Sequence, residues 1–256
     1  MQLSIVIPAF NEAAKIRSDV EAAAHFMKHE GLRGEVIVVD DGGTDGTADA
    51  ARTSAVPEAV ELRVLRHERN HGKGCAVRTG MTASRGRWAM FADSGLCVPY
   101  RETRKGLGLL REGACEIAHG SRWLPESYVA RPRGPYRRLA SFLAARGIPA
   151  LARTPYRLTD TQCGFKMYRG DVARELYGAC VCDGFLFDVE VILRAVRCGY
   201  RIREFPIEWH SDPDSRFDPF SAMPDLLRQL VTIQRAVSGN QGQSPTRRSL
   251  RPASPA

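Results

Sequence analysis

Four short stretches of the chain gather the side chains suited to binding or transforming a charged substrate. Pro8-Ala9-Phe10-Asn11-Glu12, Asp40-Asp41-Gly42-Gly43 and Asp93-Ser94-Gly95 each follow an apolar run, and Asn70-His71-Gly72-Lys73-Gly74 precedes an alanine-containing helical pattern. Carboxylates accept hydrogen bonds from N–H groups of a base and from ribose hydroxyls, and they hold Mg2+ or Mn2+ against phosphate oxygens. A turn and a helix cap need only one such residue, and Thr44 is expected to serve as that cap. Two adjacent aspartates ending a VIVV strand concentrate more charge than that, which favours binding over a purely structural turn. The glycines of 70–74 fit a simple turn; alternatively they set backbone N–H groups and Lys73 near phosphates at a helix start. This is not a P-loop, because Gly74 follows Lys73 where Ser or Thr is required. Nor is it a dehydrogenase-type dinucleotide site, since PAFNE follows the first strand and no glycine precedes Gly31.

These residues need a scaffold that brings strand ends together. Leu3 to Pro8, Glu35 to Asp40, Glu61 to Arg66 and Arg87 to Ala92 read as buried strands, with amphipathic helical patterns over 12–29, 44–54 and 73–84. The alternation predicts an α/β chain with a doubly wound, mostly parallel sheet and helices on both faces. Ligands of such sheets bind beyond the carboxyl ends of the strands, where the acidic residues lie. Further helices are expected over 101–113, 170–178 and 184–198, and further strands over 115–119 and 201–209. The reading is one unit over 1–237, with a nucleotide-binding half (1–100), an acceptor half (101–237) and a disordered tail over 238–256 rich in Ser, Gly, Pro and Gln.

Composition narrows the classes. With 43% hydrophobic and 26% charged residues, the 256-residue chain is an ordinary globular protein. Met1 leads straight into a strand, no apolar run reaches membrane-spanning length, and the seven cysteines show no paired spacing. The expectation is a cytoplasmic protein with reduced thiols. The net charge of +8 favours an anionic partner. From 127 to 159 there are seven arginines and no acidic residue, beside an apolar stripe of Leu139, Phe142, Leu143 and Ile148. Such a basic amphipathic insertion suits peripheral contact with an anionic membrane face, at about 1 kcal/mol per basic side chain; a solvated helix face packed on the sheet is the equal alternative. Nucleic acid is disfavoured because the site itself is acidic.

Taken in order, IVIPAFNE (5–12), VIVVDDGGTDGT (36–47), RNHGKGCAVRTGM (69–81), FADSG (91–95), HGSR (119–122), DTQCGFKMY (160–168) and FLFDVEV (185–191) resemble glycosyltransferase family 2 over about residues 3–217. The last two stretches, with EWHSDPDSRF (208–217), look most like its dolichyl-phosphate β-glucosyltransferase branch. The resemblance implies a GT-A fold and transfer of a hexose, glucose by that branch, from a nucleotide sugar such as UDP-glucose to a polyprenyl phosphate, with inversion. It places Pro8, Phe10, Asn11, Glu12, Asp40 and Asp41 around the nucleoside, and Gly72, Lys73 and Arg78 toward the diphosphate. Asp93 would hold Mg2+ or Mn2+. Arg122, Gln162 and Lys166 would serve the donor diphosphate and acceptor phosphate, while Asp188 and Glu190 come from the helix closing the acceptor side. A phosphate acceptor needs no base; for a hydroxyl acceptor Asp188 would be the base. Two positions depart from the family pattern: Gly95 stands where a second metal carboxylate is usual, and Gly43 where serine is common. The alternatives are therefore a transferase acting on a saccharide or small-molecule hydroxyl, and a nucleotide-sugar-binding protein of reduced turnover.

Overall fold

The computed structural model of the chain describes residues 1–130, 158–210 and 223–239. Strands β1 (Leu3–Ala9), β2 (Gly34–Asp40) and β4 (Trp88–Ala92) are buried at every position, as strands covered on both faces must be. β3 (Val60–Arg66) lies at the sheet edge and alternates Glu and Arg with its apolar residues, which protects an otherwise exposed edge. Helices α1 (Ile16–His29), α2 (Thr47–Arg52) and α3 (Lys73–Ala83) connect them. A 3-10 turn at Tyr100–Glu102 leads into α4 (Thr103–Arg111), followed by β5 (Ile117–Ser121) and β6 (Tyr128–Ala130). The remaining elements are β7 (Phe165–Arg169), α5 (Gly170–Ala179), α6 (Phe187–Arg197), β8 (Ile202–Pro206), β9 (Glu208–His210) and α7 (Met223–Gly239).

Seven strands form one sheet in the order β3-β2-β1-β4-β7-β5-β8, and β6 pairs with β9 in a separate ribbon. Only β7 runs antiparallel to its neighbours in the large sheet. Alternate residues of the strands feed two cores. Ile5, Ile7, Val36, Val38 and Met90 pack with α1 and α4 on one face. Val6, Ile37, Val39 and Phe91 pack with α3, α5, α6 and α7 on the other. The mostly parallel, doubly wound α/β architecture expected from the sequence is present.

Three local expectations change. The 201–209 strand divides at Ile207 into β8 and β9, which join different sheets. Strand β7 was not anticipated, because the lysine in FKMYR obscures its alternation. Thr44 does not cap α2: Gly46 stands at that position with φ 86°, while the Asp45 carboxylate accepts the Thr47 amide at 3.0 Å. The arginine-rich residues 131–157 and the tail beyond 239 lie outside the described residues.

Candidate active site

The site is built at the carboxyl ends of β1, β2 and β4, where the sheet places the first three motifs side by side. Asp40 and Asp41 are almost wholly buried, and their partners are protein groups. Asp40 Oδ1 accepts the Gly43 amide at 2.9 Å and its Oδ2 lies 3.5 Å from Arg66 Nε. Asp41 gathers the next loop, accepting the amides of His71 at 3.1 Å and Gly72 at 2.8 Å, together with His67 Nδ1 at 2.6 Å. Both carboxylates therefore shape the walls of the crevice. Pro8 is buried in β1, and Phe10 beyond it is 39% exposed. Asn11 adopts φ 55° and accepts the Thr44 amide on its Oδ1, while the Glu12 amide donates to Thr47 Oγ1.

The 70–74 loop behaves differently from a phosphate cradle of free amides. The His71 and Gly72 amides are spent on Asp41, and the Cys75 amide donates to Asp183 O at 3.2 Å. A β-carbon on Gly72 would lie 2.5 Å from Asp183 O, and one on Gly74 2.5 Å from Cys182 O, so glycine is what lets the start of α3 press against the 182–184 loop. Arg78 reinforces that contact by donating to Asp183 Oδ1 at 2.6 Å and to Cys180 O. Glu190 accepts the amides of Val181 and Cys182 from the other side. The side chain that does reach the centre is Lys73.

Lys73 Nζ lies 2.7 Å from Asp93 Oδ1 and 2.9 Å from Oδ2. Burial pulls the Lys73 pKa down, but the Asp93 and Asp188 carboxylates outweigh it and hold the ammonium above its ordinary value. Below them, Lys166 on β7 is fully buried, with Nζ 2.6 Å from Asp188 Oδ1, 3.0 Å from Thr161 O and 5.6 Å from the centre of the Phe91 ring. Burial raises the Asp188 pKa despite the opposing pull of Lys166 and Lys73. Arg122 completes the set. Its Nε and Nη2 donate to the two oxygens of Asp160 at 2.6 and 2.9 Å, its amide donates to the same group, and its guanidinium stands 5.6 Å from the Trp209 ring centre. Burial opposes both charges, but the pairing prevails: Arg122 is held above and Asp160 below its ordinary range. The amide of Gln162 also donates to Asp160, at 3.1 Å. His119 faces Lys166 across the β5–β7 pair, buried, with neither ring nitrogen hydrogen-bonded. Burial and the Lys166 charge keep it neutral.

Beside Asp93 opens a small cleft lined by Leu96, Val98, Tyr100, Phe165 and Trp209 among others. Three cations, each steadied by a carboxylate, thus surround the end of β4 next to a small cleft of mixed polar and apolar lining. Sequence reasoning missed the groups that hold the predicted ones: Asp160, His67 and Gly164. Asp160 lay within a recognised motif, and its distance from Arg122 along the chain hid the pair. Among the described residues no group of three or more His, Cys, Asp or Glu is placed to hold a metal. Asp93 Oδ1 is buried with no hydrogen bond aligned on it, though the Lys73 ammonium stands 2.7 Å away. A divalent cation at Asp93 would share that carboxylate with Lys73 and would draw its other ligands from substrate phosphates and waters.

Residues 4–177 match the family model for glycosyl transferase family 2, so the chain belongs to that family and is a family 2 glycosyltransferase. It is 31% identical to Glycosyltransferase AglD of Haloferax volcanii over 85% of this chain, which spans 34% of that protein. It is 30% identical to the dolichyl-phosphate beta-glucosyltransferase of Drosophila melanogaster, over 91% of this chain and 74% of that one. Among solved structures, glucosyl-3-phosphoglycerate synthase of Mycobacterium tuberculosis, crystallised with Mn2+, UDP and glucosyl-3-phosphoglycerate, superposes with a TM-score of 0.68 at 21% identity, covering 93% of this chain and 80% of that one. Mannosyl-3-phosphoglycerate synthase of Rubrobacter xylanophilus gives 0.66 at 19% identity, over 96% and 78%. These neighbours establish the GT-A fold.

Proposed function

We propose that the protein transfers a hexose, glucose in the first instance, from a nucleotide sugar such as UDP-glucose to a polyprenyl phosphate, inverting the anomeric centre. The observation that carries this reading is the clustering at the end of β4 of three paired cations, Lys73 on Asp93, Lys166 on Asp188 and Arg122 on Asp160, with Arg122 and Asp188 both within electrostatic reach of Asp93, in a chain similar over nine-tenths of its length to dolichyl-phosphate beta-glucosyltransferases. Pro8, Phe10, Asn11 and Glu12 border the nucleoside, with Asp40 and Asp41 acting through the turns they hold. Lys73 faces the diphosphate; Arg122, Gln162 and Lys166 serve the phosphates of donor and acceptor. An oxygen of the acceptor phosphate attacks the anomeric carbon as the bond to UDP breaks, and the fixed cations stabilise the charge passing to the leaving group. A bound Mg2+ or Mn2+, held by Asp93 and the donor phosphates, would neutralise part of that charge.

Asp188 favours a phosphate acceptor over a hydroxyl. Its carboxylate is buried against Lys166, a poor arrangement for a general base, and a phosphate is already an anion at neutral pH. Peripheral membrane contact is consistent with α7, whose Leu227 and Val231 are 53% and 45% exposed one turn apart, beside Arg228 and Arg235. Among the described residues no helix is long and apolar enough to cross a membrane. Incubation of the purified chain with labelled UDP-glucose, polyprenyl phosphate and Mn2+ or Mg2+ tests the reading. A β-linked glycolipid and released UDP are expected. Transfer to water-soluble saccharides but never to the lipid would sink it.

A further inference from the structure

Asp19 belongs to none of the sequence motifs, yet it reaches the site from α1. It is 1% exposed, and its carboxylate accepts the Gly95 amide on both oxygens at 3.0 Å and the Leu96 amide on Oδ1 at 3.0 Å. The two residues it holds are consecutive and left-handed, Gly95 at φ 91° and Leu96 at φ 51°. A non-glycine residue there is strained by about 1–2 kcal/mol and persists only where its surroundings enforce it. Two neighbouring amides converging on one anion form such an enforcing nest. Both ends of the turn meet the site, since Asp93 begins it and Leu96 lines the cleft.

We propose that Asp19 is a positioning residue for glycosyl transfer, holding the 93–96 turn so that Asp93 faces Lys73 and Leu96 forms a wall of the cleft. The inference rests on the transfer reaction proposed above and adds to it a residue that touches no substrate. Asp19 is surrounded by Glu12 and Lys15 from the loop before α1 and by the Tyr100 phenol from the 3-10 turn. Burial dominates these influences and lifts its pKa to about 6, the Gly95 and Leu96 amides pulling the other way.

The test compares wild type with Asp19→Ala and the near-isosteric Asp19→Asn, using UDP-glucose, polyprenyl phosphate and Mn2+, alongside UDP calorimetry in Mn2+ and thermal melting. Asp19→Ala is expected to lower kcat about tenfold or more, the worth of a charge-assisted hydrogen bond, with a smaller change in KM. Asp19→Asn recovers part of that loss and melts no lower than wild type at neutral pH. Equal kcat in wild type and Asp19→Ala overturns the inference while leaving the transfer reaction standing. Should Asp19→Ala fail to fold, Asp19→Asn decides: a severalfold lower kcat at an unchanged melting temperature supports the inference, and wild-type kcat overturns it. A wild type that binds UDP but leaves polyprenyl phosphate unmodified overturns the acceptor reading; UDP affinity in Asp19→Ala then decides the role of Asp19, a severalfold weakening, in line with the smaller KM effect, supporting it and no change overturning it.

Discussion

Gly164 offers the most direct perturbation of the reacting centre, because its Cα lies directly beneath the Asp93 carboxylate. A β-carbon at 164 would stand 2.0 Å from Asp93 Oδ2, 2.1 Å from Cγ and 2.3 Å from Oδ1, whereas ordinary contact begins near 3.4 Å. The carboxylate must retreat by more than 1 Å in Gly164→Ala. The backbone can stay where it is, since the Asp93 amide remains bonded to Gly164 O at 2.9 Å. Moving a charge pair from about 2.8 to about 4.2 Å at an effective dielectric near 20 forfeits about 2 kcal/mol. Solvent reaches a third of Asp93 and a quarter of Lys73, which reduces that to about 1 kcal/mol, a loss of roughly 2–4 °C in Tm. Catalysis is more sensitive, because a misplacement of about 1 Å commonly reduces turnover by about 100-fold. We therefore expect Gly164→Ala to stay folded and to release UDP from UDP-glucose and polyprenyl phosphate about 100-fold more slowly. Gly178→Ala, in α5 with no atom within 4 Å of the added carbon, is the control and should be silent in activity. Wild-type kinetics in Gly164→Ala would refute the placement of Asp93 in the reaction. Unfolding of Gly164→Ala, with Gly178→Ala intact, would refute the claim that the clash is local.

Three further outcomes follow from the same geometry. Asp188→Ala strands the fully buried Lys166 ammonium and should destabilise the fold by about 3–5 kcal/mol, read by denaturant titration, with Asp188→Asn milder. Gly95→Asp, which would supply a second carboxylate, must occupy φ 91°; the strain of about 1–2 kcal/mol predicts a lower Tm and no gain in turnover at saturating Mn2+. Asp19 makes stability depend on pH: its folded pKa of about 6 exceeds the ordinary 3.8, so folding takes up a proton and stability rises as pH falls through about 6. The gain approaches about 3 kcal/mol below about pH 4, and Asp19→Asn should remove this component from a series of thermal melts.

The parallel half of the sheet was legible because its chemistry is simple. Strands buried on both faces must be continuously apolar, and LSIVIP, EVIVVD and RWAMFA announce themselves within a residue or so of β1, β2 and β4. β7 was hidden for the opposite reason. Its Lys166 points into the core, and Asp188, 22 residues later on α6, is the carboxylate that makes that burial tolerable. No local pattern encodes such a pair. The same holds for Arg122 and Asp160, and for Asp41, which spacing marked as a binding group and which the structure uses to gather the amides of 71 and 72.

What joins these cases is that each catalytic candidate is fixed by a partner distant in sequence: Lys73 by Asp93, Lys166 by Asp188, Arg122 by Asp160. Pairing a buried cation with a carboxylate offsets part of its desolvation, but a pair is seldom more stable than a well-packed apolar substitute. Such pairs therefore make poor sense as devices for stability alone. They make better sense as a preorganised field, in which cations already locked in direction, Lys73 and Arg122 at the surface of the site and Lys166 beneath it, act on the leaving and attacking phosphates without reorganisation. Exchanging Lys166 and Asp188 together for Met and Leu separates the two purposes. Stability retained with transfer lost would assign the pair to the field, whereas stability and transfer lost in proportion would assign it to the fold.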